Sequence, residues 1–128
     1  MRLLLDTHVA LWALVDDPRL SQRARALIDD PANQVMVSAA TVWEIAIKHA
    51  LGRDDMPISG DEALEWFRQA GYDLLPITPA HAAAVEHLPN HHRDPFDRLL
   101  VAQAITEPLR LLSHDPLVVR YGDAVTAV

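Results

Sequence analysis

The chain contains no cysteine, which excludes disulfide frameworks, thiolate zinc sites and cysteine nucleophiles together. No apolar run approaches the roughly 18 residues that a membrane-spanning helix requires, and Met1-Arg2-Leu3-Leu4-Leu5-Asp6 meets an acid too early for a secretory signal. A cytoplasmic protein with no membrane partner is therefore expected. Basic residues are also short: 11 stand against 18 acidic ones, a formal net charge of −7. Most nucleic-acid binders attract the phosphate backbone with a basic surface, so composition alone speaks against DNA or RNA. The exception is an acidic site loaded with divalent metal, which inverts its local charge and can then hold phosphate. No internal repeat or low-complexity tract is present. What is there is 128 residues, half of them hydrophobic and 23% charged, which argues against disorder and for one domain over residues 1–128 with a single core.

Short apolar segments alternate with helical patterns almost throughout. Arg2–Asp6 and Gln34–Val37 read as strands, as do Tyr72–Ile77 and Leu109–Ser113, with Ala124–Val128 as a possible last one. Between them, Val9–Val15 has helical spacing, Ser21 caps a helix with the stripe Ala24, Leu27 and Ile28, and Asp61–Ala70 is amphipathic behind a Ser59/Glu62 capping box. Ala39–Leu51 is apolar on nearly all sides and is expected to be buried, with Trp12 and Trp43 in the core and Trp66 either packed inward or at a partner interface. Thr78-Pro79 opens a helix through Leu88, and Asp94-Pro95 opens another to about Ile105. A short helix, Asp115–Tyr121, follows the fourth strand. This order predicts an α/β fold with a parallel sheet of four to five short strands and helices on both faces.

In open parallel sheets ligands bind outside the carboxyl ends of the strands. Asp6 follows the first strand, Glu44 lies early in the helix after the second, Asp97 sits at the head of the helix before the fourth, and Asp115 follows the fourth. Each acid has a structural reading of its own. Asp6 and Asp115 can be helix N-caps, Asp94-Pro-Phe-Asp97 and Thr41-Val-Trp-Glu44 have capping-box spacing, and Lys48, the one lysine, stands four residues beyond Glu44. Their convergence on one sheet edge points elsewhere. Clustered carboxylates repel, which raises their pKa values or drives them to bind a cation. Oxygen-only ligands suit Mg²⁺ or Mn²⁺, and the chemistry of such ions with water is phosphodiester hydrolysis.

At these residues the sequence resembles the PIN-domain ribonucleases, specifically the VapC toxins of bacterial toxin–antitoxin pairs. The matching stretches are Leu4-Leu5-Asp6-Thr7-His8, Ser38-Ala39-Ala40-Thr41-Val42-Trp43-Glu44-Ile45, Arg93-Asp94-Pro95-Phe96-Asp97-Arg98 with the apolar run after it, and Leu112-Ser113-His114-Asp115. The resemblance implies a three-layer PIN-like fold and a metal-dependent endoribonuclease whose pocket holds Mg²⁺ or Mn²⁺. It implies Asp6, Glu44 and Asp97 as the core acids and Asp115 as the more variable fourth, and it implies a cognate antitoxin and a homodimer. Where the family often carries one more Asp, this chain has Leu117, which speaks against a second fully liganded metal.

Other residues carry weaker signals. Thr7 and Ser113 offer hydroxyls near the strand ends that could orient a water. Arg98 is either a phosphate contact or a solvated arginine, and His91, His92 and Arg93, in a loop beside the proposed pocket, either guide RNA or are simply solvated. A receiver-type signalling domain is the other small α/β domain with an acidic Mg²⁺ edge, but it needs a lysine near its last strands and none follows Lys48. A catalytically silent PIN-like binding domain is the remaining alternative, against which the presence of all four acids counts.

Overall fold

A computed structural model describes residues 1–128. Five strands, β1 (Arg2–Leu5), β2 (Gln34–Ser38), β3 (Asp73–Leu75), β4 (Arg110–Ser113) and β5 (Val125–Ala127), form one parallel sheet in the order β3-β2-β1-β4-β5. β1 is central because it is buried on both faces: Leu3, Leu4 and Leu5 have no exposed surface, as expected where helices cover both sides of a parallel sheet. Side chains alternate across a strand, so Leu3 and Leu5 join Val35, Val37 and Leu112 on one face, while Leu4 joins Met36 and Leu111 on the other. Truncating such a leucine to alanine costs about 2–5 kcal/mol.

The first face is covered by α1 (Thr7–Val15), α2 (Gln22–Asp29) and α4 (Gly60–Gln69), through Val9, Ala10, Ala24, Ala63 and Phe67. The second is covered by α6 (Pro95–Thr106) and α7 (Pro116–Val119), through Leu100, Val101, Ala104 and Val118. α3 (Ala39–Ala50) and α5 (Pro79–Ala84) pack beside α4 and α6 respectively. Gly60 approaches α3 so closely that a Cβ there would lie 2.9 Å from the Ala46 Cβ, which leaves room only for glycine.

Caps set most boundaries. Ser21, Ser59 and Thr78 each accept a backbone N–H three residues on, and Ser59 with Glu62 forms the expected capping box. Some boundaries stop short of the sequence reading, two of them at a proline. α5 ends at Ala84 and tightens into a 3₁₀ turn over Val85–His87, after which Leu88 is extended, because Pro89 disfavours the α conformation in the residue before it. β3 stops at Leu75 because Pro76 has no N–H to give the ladder. α3 starts at Ala39, where the sequence reading begins it, on a Ser38 cap, so the alternative of a Thr41/Glu44 capping box does not hold.

Burial of α3 also departs from expectation. Only Ala40, Thr41, Glu44 and Ile45 are buried, while Trp43 is 54% exposed and its ring meets Phe96 edge-on at 4.9 Å. Its packing partners, chiefly α4 and α6, cover only part of its circumference, so an all-round apolar helix leaves apolar surface in water. Trp66 likewise faces outward, its neighbour Phe67 being the buried ring of α4. Trp12 is half-buried at a pocket rim beside His8 and His114, with the Arg19 guanidinium 5.2 Å above its ring. No helix is long and apolar enough to cross a membrane.

Candidate active site

After β1 the chain next adds β2 on one side and later β4 on the other, so the sheet order reverses at β1. Crevices at such points are where α/β sheets bind ligands. Asp6 leaves the end of β1 here, flanked by α3 after β2 and by Asp115 after β4.

Asp6 is both a cap and a pocket acid. Its Oδ1 accepts the Val9 N–H at 2.9 Å, while Oδ2 accepts the Ser113 hydroxyl at 2.5 Å. Only 4% of the residue is exposed. Burial raises its pKa; the Ser113 and Val9 hydrogen bonds and nearby His8 oppose that rise, and Asp115 adds to it. Ser113 Oγ also accepts the Asp115 N–H at 3.1 Å, so one hydroxyl links two acids. Asp115 caps α7 by accepting the Leu117 N–H at 2.8 Å. Burial works to raise its pKa, but hydrogen bonds from His92 and Leu117 outweigh it and hold the carboxyl below the usual range.

Asp97 stands in the first turn of α6. The cap is Asp94, whose Oδ1 accepts the N–H groups of Phe96 at 2.8 Å and Asp97 at 3.2 Å. The Asp97 carboxyl is pushed up to about 7, first by burial and then by repulsion from Asp94 and Asp6, with His92 opposing and Glu44 adding to the rise. Asp6 and Glu44 thus act on Asp97 through space although strands and helices far apart in sequence carry them.

Glu44 is the best compensated of the four. Its Oε1 accepts the Thr7 hydroxyl at 2.8 Å and its Oε2 the Lys48 ammonium at 2.6 Å, and Thr41 lies 3.2 Å from Thr7. The helical Glu44–Lys48 pair is therefore formed. Thr7 and Ser113, expected as groups that orient a water, instead donate their protons to Glu44 and Asp6 and fix those carboxylates.

His92 does not sit in a solvated loop as its sequence context suggests. Its Nδ1 accepts the Asp94 N–H at 3.0 Å, which leaves Nε2 as the N–H end. That end donates to Asp115 Oδ2 at 2.9 Å and lies 3.2 Å from Asp97 Oδ2. His92, Asp97 and Asp115 form the one triple of metal-capable side chains whose ligand atoms all lie within 4.8 Å of one another. Asp6 and Glu44 lie outside that reach. No local sequence signal places His92 against the acids, because its position depends on the Tyr121 hydroxyl accepting its backbone N–H at 3.1 Å from 29 residues away. Arg98 is not simply solvated: it is half-buried and donates to the Pro89 and Val85 carbonyls.

The donor set is carboxylate oxygens, with the His92 N–H end donating into it, and in Asp97 it holds an acid pushed up by burial and by facing acids. A hard divalent cation fits both features.

Comparison with known proteins agrees with this architecture. The family model described as PIN domain matches residues 3–123. The chain is 35% identical over 115 residues to Ribonuclease VapC22 of Mycobacterium tuberculosis, covering 88% of this chain and 85% of that protein. It is 37% identical over 71 residues to Ribonuclease VapC16 of the same organism, covering 52% of this chain and 50% of that protein. Among solved structures, VapBC2 from Rickettsia felis bound to a promoter DNA fragment matches with a TM-score of 0.70 at 13% identity, over 100% of this chain and 98% of that one. VapBC-1 from nontypeable Haemophilus influenzae matches with a TM-score of 0.67 at 15% identity, over 100% and 97%. At those identities the structures speak for the fold, and the family match covers nearly the whole sequence. The chain belongs to the PIN domain family.

Proposed function

We propose that the protein is an endoribonuclease, the toxin of a toxin–antitoxin pair, which hydrolyses RNA phosphodiester bonds with the help of Mg²⁺ or Mn²⁺. The observation that carries this reading is Asp97: a carboxyl raised to about 7 by burial and by facing acids from other segments sits where a cation would remove the repulsion. The likeness to Ribonuclease VapC22 over most of both chains supports RNA as the substrate. The fold likeness to VapBC complexes supports a protein antitoxin as partner.

In this reading Asp97 and Asp115 hold the ion, Asp6 adds its charge beside them through the shared Ser113 hydroxyl, and Glu44 completes the catalytic set as a negative charge fixed by Thr7 and Lys48. A divalent ion bound there supplies Lewis-acid neutralisation of the phosphodiester and lowers the pKa of water. The chain's own residues do the rest. Ser113 aims one oxygen of Asp6 and fixes the Asp115 backbone. Asp94 holds the start of α6 and so the position of Asp97. Lys48 lets Glu44 remain buried without adding its full charge to the pocket.

The test is incubation of purified protein with structured RNAs in EDTA, Mg²⁺ or Mn²⁺, beside Asp97→Asn. Cleavage that needs the ion and is lost in Asp97→Asn supports the reading. Equal cleavage in EDTA, or by the variant, refutes it.

A further inference from the structure

Beside the acid cluster lies an open pocket of about 520 Å³ lined by Asn90, His92, Arg93 and Arg98, with neither an acid nor an apolar side chain in its wall. Cations are scarce in this chain, and Arg2, Arg19, Arg25, Lys48 and Arg53 each have a carboxylate within 4.0 Å. Arg93 and Arg98 have none. Arg98 Nη1 donates to the Pro89 carbonyl and the Tyr121 hydroxyl, both at 3.1 Å, and Nη2 donates to the Val85 carbonyl at 3.2 Å. All three partners are neutral, so the guanidinium is held in place with its charge uncompensated. Its Nε–H and one Nη2–H make no bond within the protein. Arg93 is exposed and its side chain makes no hydrogen bond at all.

We infer that this pocket seats a backbone phosphate of the RNA strand, next to the bond presented to the acids, an assignment that rests on the ribonuclease reading above. A planar guanidinium fork matches two phosphate oxygens, and the wall around it is polar throughout. His92 supplies the continuity: its ring reaches Asp115 and Asp97 on one side while the residue lines this pocket on the other. Tyr121 ties the two halves together, since its hydroxyl accepts from both the His92 N–H and Arg98. The pocket thereby answers the difficulty posed by the −7 charge, because the strand meets two unpaired arginines where it enters an acidic site.

The experiment measures binding of a fluorescein-labelled single-stranded RNA to the full-length Asp97→Asn protein by anisotropy over a range of KCl concentrations. Arg93→Gln in that background is expected to weaken binding roughly three- to tenfold at low salt. It should also flatten the slope of log K against log salt by about 0.7, the value for one phosphate contact on a single strand. Arg98→Lys should keep the slope and lose affinity, because it keeps the charge and loses the fork. Arg68→Gln on α4, another exposed arginine without an acid partner, is the control and should change neither quantity. The Arg93 side chain has no structural bonds, so its variant folds and the comparison stands even if Arg98 variants are unstable. If Arg93→Gln behaves as Arg68→Gln does, the inference is overturned while wild-type cleavage leaves the ribonuclease reading standing. If the wild type neither binds nor cuts RNA, both fall.

Discussion

The Lys48 ammonium lies 2.6 Å from Glu44 Oε2, so the one lysine of the chain is committed to the one pocket acid carried by α3. The pair divides the acids into two groups. Glu44 is neutralised from within the protein, whereas Asp6, Asp97 and Asp115 are met by hydroxyls, backbone N–H groups and His92, with no Lys or Arg within 4.0 Å.

Removing Lys48 should expose what that commitment does. Glu44 is 3% exposed, and a buried charge left without its partner is strongly destabilising. With Lys48 itself 22% exposed, Lys48→Met is expected to cost roughly 2 kcal/mol. Glu44→Gln should cost about 1 kcal/mol, since the amide can still accept from Thr7 and the freed ammonium can reach water. Urea denaturation of both variants checks the order; Glu44→Gln as the more damaging change would contradict it.

Asp97 sets a pH dependence for the metal-free protein. Its carboxyl moves from 3.8 to about 7 on folding, so between those values the folded state binds more protons than the unfolded one. Stability then falls as pH rises from about 4 to about 7 and is flat above, as far as this group is concerned. Each tenfold gain in proton affinity is worth about 1.4 kcal/mol, so the loss across that range is roughly 4 kcal/mol. Asp97→Asn should lack this slope and be more stable than wild type at pH 8 in EDTA, yet not at pH 4. Thermal melts across that range measure it, and parallel curves for the two proteins would contradict the assignment.

The imidazole N–H of His92 stands between Asp97 and Asp115, carboxylates that would hold the proposed ion. His92→Ala is therefore expected to tighten Mn²⁺ binding roughly threefold to tenfold, the scale of one hydrogen bond of about 1 kcal/mol no longer displaced. Calorimetric titration at pH 7.5 reads this directly. Weaker binding by the variant would make His92 a ligand of the ion instead.

Much of the architecture is legible in the residues. Leu3-Leu4-Leu5 has no polar side, which only a strand covered on both faces tolerates, and Ser21, Ser59 with Glu62, Thr78-Pro79 and Asp94-Pro95 mark helix starts by local chemistry alone. Asp6 and Asp115 carry two readings, cap and pocket acid. Both hold, because each carboxylate has two oxygens and the cap uses one. What local pattern does not give is orientation over distance. Nothing in Ala39–Leu51 says which side meets water when every side is apolar, and Trp43 is accordingly exposed. Nothing near His92 in sequence says that Tyr121 anchors it above the acids. Whether Glu44 faces Lys48, Thr7 or a cation likewise depends on where α1 and α3 meet.

The proposed cation site draws its acids from separate segments of the chain. Electron paramagnetic resonance of free Mn²⁺, titrated with wild-type protein and with Asp6→Asn, Asp97→Asn and Asp61→Asn, tests it most directly. The account expects saturable uptake by wild type, weakened at least tenfold by either pocket substitution and untouched by Asp61→Asn on the exposed start of α4. Uptake of equal strength in all four proteins, or no saturable uptake in any, would contradict it.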